Sequence, residues 1–297
     1  MRKSILLTIL LLAAILMPPM QAQTLNYSRS KCDVNEDGEI NIADVNTVID
    51  AIFGGGNEDK PQTDTFTVNG VTFKMMPVEG GTFMMGATEE QGNDYYSGER
   101  PVHQVTLSGY SIGMTQVTQE LWVAVMGSNP SDFNGGSYGT NLQRPVEKVS
   151  WNDCQTFITR LNELTGKHFR LPTEAEWEFA ARGGNKSQHY KYAGSNDIDE
   201  VAWYTSNSGY MTHPVAAKAP NELGLYDMSG NVWEWCQDWY GSYSSEAQTN
   251  PTGPETGSNR VFRGGSWGDS ARYCRVSSRS GSTPSFRRNS LGLRLAL

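Results

Sequence analysis

The stretch RGGSWGDSARYC, residues 263–274, contains the residue types in this chain that most readily do chemistry. Ser266 follows a pair of glycines, Asp269 comes three residues later, and Cys274 closes the stretch. A thiol beside a glycine turn can be a nucleophile, a soft metal ligand, half of a disulfide or an apolar filler. The residues alone therefore leave three roles open for Cys274: a structural thiol, a disulfide partner, or a metal or redox ligand.

A second candidate is the run DVNEDGEINIAD, residues 33–44, in which oxygen-bearing side chains recur at short intervals around Gly38. Calcium takes six to eight oxygen ligands, and one loop with this spacing can supply them, with glycine at the sharp turn. The spacing predicts a calcium site. Its ligands would be Asp33, Asn35, Asp37, Glu39, Asn41 and Asp44.

An apolar stripe at helical spacing, Ile42 to Phe53, follows this loop. A calcium loop with Asp at its last position and one following helix resembles half of a type I dockerin. The resemblance covers residues 32–53 and implies a cohesin-like partner, but a dockerin has two such segments and only one is found here. Docking of this segment onto another surface therefore stays open. The glycine-rich residues 54–64 are predicted to be a linker.

Residues 1–22 have the pattern of a signal peptide. A basic start at Arg2 and Lys3 precedes an apolar run that is short for a membrane span, and a small residue, Ala22, ends the segment. This pattern predicts export to the periplasm or the extracellular space, without a membrane anchor.

The charge of the chain is uneven. The whole sequence carries −8, whereas residues 260–297 carry eight arginines and one acid, Asp269. An acidic protein is a poor general binder of nucleic acid, so no nucleic-acid partner is expected. Arginine makes fixed, two-pronged pairs with carboxylates. The arginine-rich tail is therefore interpreted as forming internal ion pairs with the acidic body; a surface for an acidic ligand is the alternative.

The remaining sequence predicts few regular elements. Asn69-Gly70 separates two alternating runs and favours a hairpin. Helices are predicted near 118–126, at 151–164 after the N-cap Ser150, and from Thr173, which can form a capping box with Glu176, to about Ala181. Long stretches rich in Gly, Asn, Ser and Pro separate the rest. The prediction is an α+β domain over 65–297 with much irregular chain.

Four segments of this domain occur in the order seen in a known family: RLPTEAEWEFAARGG, PNELGLYDMSGNVWEWCQDW, RVFRGGSW and LGLRLAL. They resemble the formylglycine-generating enzyme (sulfatase-modifying factor) family, whose fold is a variant of the C-type lectin fold. The resemblance implies an enzyme that uses oxygen and copper(I) to oxidise a cysteine of a sulfatase to formylglycine.

The resemblance also places the family's catalytic residues. The family binds copper through two cysteines five positions apart; without gaps, the second falls on Cys274 and the first on Asp269, while Ser266 matches the active-site serine. A carboxylate is a hard ligand and a poor substitute for a thiolate on copper(I). The catalytic pair is therefore incomplete. Copper(I) is expected only if Cys274 works with an unconventional partner such as Cys154 or Cys236.

A calcium site is implied as well. By resemblance, it consists of Asp227, the carbonyls of Gly230 and Val232, and Glu234, around a glycine turn. Calcium is thus the cofactor expected on both sides of the linker.

Two functions follow. Some proteins of this fold bind ligands through a diversified C-terminal segment, and the corresponding residues here are Ser, Gly, Tyr, Arg and Phe, a composition suited to adaptable contacts. The first hypothesis is a binding module for a protein, peptide or glycan; the alternative is an active oxidase that uses Cys274. The predicted binding surface consists of Trp267, Asp269, Arg272, Tyr273, Phe286 and Arg288.

Overall fold

The computed structural model of the protein describes residues 63–297. The predicted signal peptide, the dockerin-like calcium loop and all but the last two residues of the predicted linker lie outside the described residues. The first strand begins at Asp64, one residue before the predicted start of the main domain.

Three small sheets form the β part of the domain. The first contains β1 (Asp64–Val68), β2 (Val71–Val78) and β5 (Tyr110–Gly113), in the order β1-β2-β5 and all antiparallel. Asn69 and Gly70 connect β1 to β2 with φ of 48° and 85°, the left-handed conformations that a tight hairpin requires. The hairpin prediction is confirmed.

The second sheet pairs β3 (Gly81–Met85) with β4 (His103–Leu107), and β7 (Gln248–Thr249) joins β4 in parallel. The third sheet has the order β10-β6-β8-β9. Its strands are β6 (Trp233–Trp239), β8 (Arg260–Arg263), β9 (Arg279–Ser282) and β10 (Leu291–Leu293). This sheet carries the segments on either side of the candidate site.

Within residues 63–297, four helices accompany the sheets: α1 (Gln119–Met126), α2 (Trp151–Thr165), α3 (Glu174–Ala181) and α4 (Ile198–Val201). Thr118, Ser150 and Thr173 cap the first three, and the last two of these form full capping boxes. These side chains satisfy backbone N–H groups that would otherwise lack partners. The three predicted helices are thereby confirmed to within a residue or two. Between α4 and β6 the chain runs without helix or strand, as the composition predicted.

Buried ion pairs hold the C-terminal strands to the body of the domain. They are Arg263–Glu178, Arg275–Glu99, Arg279–Glu174 and Arg294–Glu234, and every side chain in them is at most 6% exposed. A buried charge is tolerated only when it is paired and hydrogen-bonded. The interpretation of the arginine-rich tail as a source of internal pairs is confirmed for these four residues.

Candidate functional site

The glycine turn that leads into the candidate site requires glycine. Gly264 and Gly265 have φ of 100° and 72°, in the left-handed region. A Cβ atom on Gly265 would lie 2.7 Å from the Sγ of Cys274, closer than real contacts allow. The turn therefore packs directly against the cysteine and covers it.

Asp269 is fixed in this turn by two donors. Trp233 donates its indole N–H to Oδ2 of Asp269 over 2.8 Å, and the Ser266 hydroxyl donates a short hydrogen bond to the same oxygen. Hydrogen bonds to a carboxylate are stronger than those between neutral groups. Ser266 is buried, and its hydroxyl is occupied by Asp269. The serine and the aspartate are thus brought together as a hydrogen-bonded pair.

Cys274 is fully buried under the turn. Burial, with the nearby Asp269 carboxylate as a second cause, raises the pKa of the Cys274 thiol well above its usual range. The thiolate is the form that attacks electrophiles and binds copper, so this environment disfavours both roles. Cys154 and Cys236 are also free and buried, so in this structure no disulfide joins Cys274 to either of them.

An aromatic stack lies beside the Asp269 turn. The guanidinium of Arg272 sits 3.7 Å from the centre of the Tyr96 ring, and Tyr96 stacks on Tyr273 at 5.4 Å. Tyr273 in turn meets Trp233 edge-on at 6.3 Å. Each ring is therefore held in place by its neighbours while Tyr96 and Tyr273 remain partly exposed and Arg272 exposed. We call Tyr96, Trp267, Asp269, Arg272 and Tyr273 the aromatic face.

Trp267 is held in place by contacts outside the Arg272–Tyr96–Tyr273 stack. Its indole N–H donates to the carbonyl of Asn289 over 2.9 Å, and Phe133 packs against its ring at 5.3 Å. The bond to Asn289 ties Trp267 to the loop between β9 and β10, which carries Phe286, 40% exposed, and the exposed Arg288. All six predicted surface residues thus keep some exposure. Within residues 63–297, no hydrogen bond, ion pair or aromatic contact joins Phe286 or Arg288 to the Asp269 turn.

A buried network supports the aromatic face from below. Arg275 donates to both oxygens of Glu99, at 2.8 and 2.6 Å, and Ser277 donates to Glu99 and to Gln91. Glu99 follows the turn that carries Tyr96, and Arg275 follows the turn that carries Tyr273. Burial alone would raise the pKa of Glu99, but the hydrogen bonds from Arg275 and Ser277 hold it below its ordinary value. The ion pair therefore joins the two halves of the stack.

The predicted calcium residues converge on one point. The carbonyls of Asp227, Gly230 and Val232 and a carboxylate oxygen of Glu234 all lie within 3.4 Å of a single atom, Nε2 of Gln116. Within residues 63–297, no group of three or more His, Cys, Asp or Glu side chains is arranged to hold a metal ion. Asp227 contributes its backbone carbonyl to this group, whereas its carboxylate accepts from the backbone N–H of Ala216 at 2.8 Å, and a side-chain amide lies at the centre of the four oxygens.

Glu147 is a buried acid beneath the face. One carboxylate oxygen accepts from the backbone N–H of Phe133 at 2.9 Å, and the other has no partner among the described residues. Burial, with the charge of Asp132 adding to it, raises the pKa of Glu147 to about 7. Phe133 in turn packs on Trp267, so one residue separates Glu147 from a partly exposed tryptophan.

Glu147→Gln should remove a pH dependence of stability. Between the ordinary pKa of 4.5 and the folded value of about 7, the folded protein holds a proton that the unfolded chain has lost. Stability from this group is therefore complete below pH 4.5 and falls as the pH rises to 7. Glutamine does not titrate, so the variant should exceed the wild type by about 3 kcal/mol at pH 8 and match it near pH 4.5.

Urea unfolding at the two pH values measures this difference, with the exposed Glu163→Gln on α2 as the control. Asp227 and Asp238, whose pKa values burial raises to about 6 and about 7, contribute equally to both proteins and cancel in the comparison. An unchanged slope in Glu147→Gln would contradict the assignment.

Three cavities within residues 63–297 have volumes of about 520, 270 and 400 Å³. The first is lined by Asp238, Tyr243 and Arg279 among others, and the other two lie beside β2 and around Arg170. The predicted surface residues lie outside these three cavities, on the exposed or partly exposed surface.

Several residues of the candidate site were not predicted from the sequence. Tyr96, Gln116 and Glu147 lie far along the chain from the segments they contact, and no spacing rule links them. Trp233 lies within PNELGLYDMSGNVWEWCQDW, one of the segments that resemble the family, next to the predicted calcium carbonyls. Its indole N–H is the one signal in the sequence that could have indicated a hydrogen-bond donor to Asp269.

Comparisons with known proteins agree with this architecture. The model of the sulfatase-modifying factor enzyme 1-like domain matches residues 61–297. The chain is 33% identical to the formylglycine-generating enzyme of Streptomyces coelicolor over 73% of this chain and 87% of that enzyme. It is 35% identical to the chaperone protein LppX of Paenibacillus barcinonensis, over 70% of this chain and 83% of the relative. The protein belongs to the sulfatase-modifying factor family.

Among solved structures, the chain resembles variable protein 1 of Treponema denticola, with 39% identity and a TM-score of 0.72 over 80% of this chain and 99% of that one. PvdO from Pseudomonas aeruginosa matches with 25% identity and a TM-score of 0.65, over 80% and 97%. Within residues 63–297, no helix is both long enough and apolar enough to cross a membrane.

Proposed function

We propose that this protein is a ligand-binding member of the family that does not carry out copper-dependent oxidation of cysteine. The proposal rests on the hydrogen bonds that hold the Asp269 carboxylate. This carboxylate stands where the resemblance places the first copper-binding cysteine, and Trp233 and Ser266 both donate to one of its oxygens. A residue held by two donors acts here as a structural element of the turn.

The chemistry of the second cysteine supports the same conclusion. Copper(I) prefers thiolates, and a single thiol that is fully buried, with a pKa raised by burial, offers neither the charge nor the access that the ion needs. The residues present therefore do not fit a two-thiolate copper site. Cys274 is assigned a packing role beneath Gly265.

The aromatic face is the proposed binding surface. Tyr96 lies between Arg272 and Tyr273, and Trp267 is fixed by its bond to the Asn289 carbonyl, so these rings lose little conformational freedom when a ligand binds. Rigid aromatic anchors beside small polar residues suit varied partners. The proposed ligand class is a protein, peptide or glycan.

The calcium loop at 33–44 remains part of the proposal, with a cohesin-like protein as one partner through residues 32–53. The same holds for export to the periplasm or extracellular space and for the relation to the C-type lectin fold. These features rest on the sequence patterns described above.

A copper(I) titration tests the function. Reduced protein is titrated against a competing chelator, and a cysteine-containing peptide is incubated with the protein, copper and oxygen. We expect weak copper binding that is the same in Cys274→Ala, and no oxidation of the peptide. Tight one-to-one binding that is lost in Cys274→Ala, accompanied by conversion of the peptide cysteine to formylglycine, would establish the oxidase in its place.

A further inference from the structure

Gln116 lies in the short segment between β5 and α1, and its side chain is almost completely buried. Its Nε2 atom lies 3.2 Å from the carbonyl oxygen of Asp227 and 3.4 Å from that of Gly230. The Val232 carbonyl is at 2.9 Å and Oε1 of Glu234 at 3.0 Å. We call these four acceptors the oxygen cage. An atom surrounded by four oxygens normally carries positive charge or donates hydrogen bonds.

The oxygen cage determines the orientation of the Gln116 side-chain amide. With Nε2 inside, its two hydrogens are shared among four acceptors, while Oε1 of Gln116 is left without a partner among the described residues. With the amide reversed, Oε1 would face four other oxygens at similar distances, and like partial charges would repel each other. The cage therefore favours the orientation in which the NH₂ group points inward, although Oε1 of Gln116 then has no hydrogen-bond partner among the described residues.

The charge balance of the cage is complete without a metal ion. Glu234 is the one acceptor with a formal charge, and Arg294 pairs with both its oxygens, at 2.8 and 2.9 Å. Trp177 adds a third donor at 2.6 Å, and both members of the ion pair are fully buried. Calcium binds six to eight oxygens at 2.3–2.6 Å, usually with several carboxylates. Four oxygens with one compensated charge fall short of that requirement.

We propose that the Gln116 amide takes the place of a divalent cation in this cage, so that the core around Val232 folds without calcium. The geometry of the cage is that of a cation site, but a neutral donor on the chain supplies the positive end of the interaction. The inference concerns residues 63–297 and is independent of the predicted calcium loop at 33–44.

The first experiment separates the two calcium predictions. In the full-length chain, Asp33→Ala and Asp37→Ala together remove ligands from the N-terminal loop. Thermal unfolding of this double variant is followed in EDTA and in Ca²⁺, and Ca²⁺ binding is measured by calorimetry. We expect the same Tm in both conditions and no bound Ca²⁺. A rise in Tm with Ca²⁺, together with one bound ion, would overturn the proposal.

The second experiment converts the cage into a cation site in the same background. Gln116→Glu places a second carboxylate in the cage; in EDTA its Tm should fall by roughly 5–10 °C, because the new charge is buried without a counterion. Ca²⁺ should restore most of that loss. The matched control is Gln119→Glu, another buried glutamine, whose amide nitrogen donates to the carbonyls of Phe133 and Pro145 and whose oxygen accepts from Asn129.

The control should be destabilised equally in EDTA and in Ca²⁺. A folded Gln116→Glu that binds no Ca²⁺ would contradict the assignment of the cage as a cation position. If that variant does not fold, Gln116→Asp replaces it, because its shorter side chain also adds a carboxylate to the cage, and it should likewise gain stability from Ca²⁺. Indifference of Gln116→Asp to Ca²⁺ would equally reject the proposal. None of these outcomes depends on copper, so failure here is distinct from failure of the proposed function.

Discussion

Glu99→Gln should destabilise the domain by about 3–5 kcal/mol, because it leaves the Arg275 guanidinium buried without a counter-charge. Glutamine keeps the shape of the side chain but cannot compensate the charge, and both members of the pair are fully buried. For a domain of this size, such a loss lowers the Tm by roughly 10 °C or more. The effect should exceed that of any exposed ion pair in the described residues.

Loss of the Glu99–Arg275 ion pair should also loosen the packing of the aromatic face. Glu99 accepts from the backbone N–H of Tyr96 at 2.9 Å, and Arg275 donates from Nε to the carbonyl of Arg272 at 2.8 Å. Weakening the pair frees both turns that carry the Arg272–Tyr96–Tyr273 stack. Near-ultraviolet circular dichroism, which reports on the fixed environment of aromatic rings, should therefore decrease at temperatures below the unfolding transition.

The pH dependence of this variant has a definite sign. The pKa of Glu99 is held below its ordinary value of 4.5, so the pair contributes fully above that pH and is lost as the pH falls through the folded value. The difference between wild type and Glu99→Gln should be complete at pH 7 and shrink below about pH 4.

Arg287→Met is the matched control, because its pair with Asp153 is exposed and such pairs contribute at most about 1 kcal/mol. Equal destabilisation by Glu99→Gln and Arg287→Met would show that the buried network does not support the face.

The regular elements of this fold follow from short-range signals, which explains why they were predictable. Ser150 with Asp153, and Thr173 with Glu176, each form a cap within one helical turn, and Asn69-Gly70 closes a hairpin between adjacent strands. In each case, the residues that decide the structure are neighbours in the chain. The sheets are different, since β10 pairs in parallel with β6 after a long excursion that no local pattern records.

The candidate site depends on contacts between residues that are distant in the chain. The residues of the RGGSW turn were identifiable by resemblance, but the partners that decide their roles come from elsewhere. Trp233 fixes Asp269, Tyr96 completes the aromatic stack, and Gln116 enters the oxygen cage from more than a hundred residues away. The arginine excess of the tail indicated ion pairs correctly, but composition alone could not assign Glu99 to Arg275.

Asp269→Cys should restore strong copper(I) binding to this chain. The substitution places a thiol at the position of the family's first catalytic cysteine, near Cys274, and a pair of thiolates suits copper(I) far better than one carboxylate does. We expect the affinity to rise by more than about a hundredfold, since even changes outside the ligand shell alter metal affinity by 10–100-fold. Competition with a copper(I) chelator measures the change.

The variant also loses the acceptor of Trp233 and Ser266. A thiol accepts hydrogen bonds weakly, so a small loss of stability should accompany the gain in affinity. Asp269→Ser is the control, because it removes the carboxylate without adding a thiol and should bind copper no better than the wild type. Asp269→Cys combined with Cys274→Ala should likewise lose most of the gain, because the ion then has one thiolate.

A high affinity that survives Cys274→Ala would show that the buried thiol is not the second ligand. No gain in Asp269→Cys would show that the turn holds the two positions too far apart or too rigidly for a shared ion. In that case, Asp269 would not be the only residue that prevents copper binding, because the packing of Cys274 beneath Gly265 would also exclude the ion. The intermediate result, a gain in affinity without oxidation of a cysteine peptide, would mean that Asp269 determines metal binding and that two thiolates are not sufficient for oxidation in this chain.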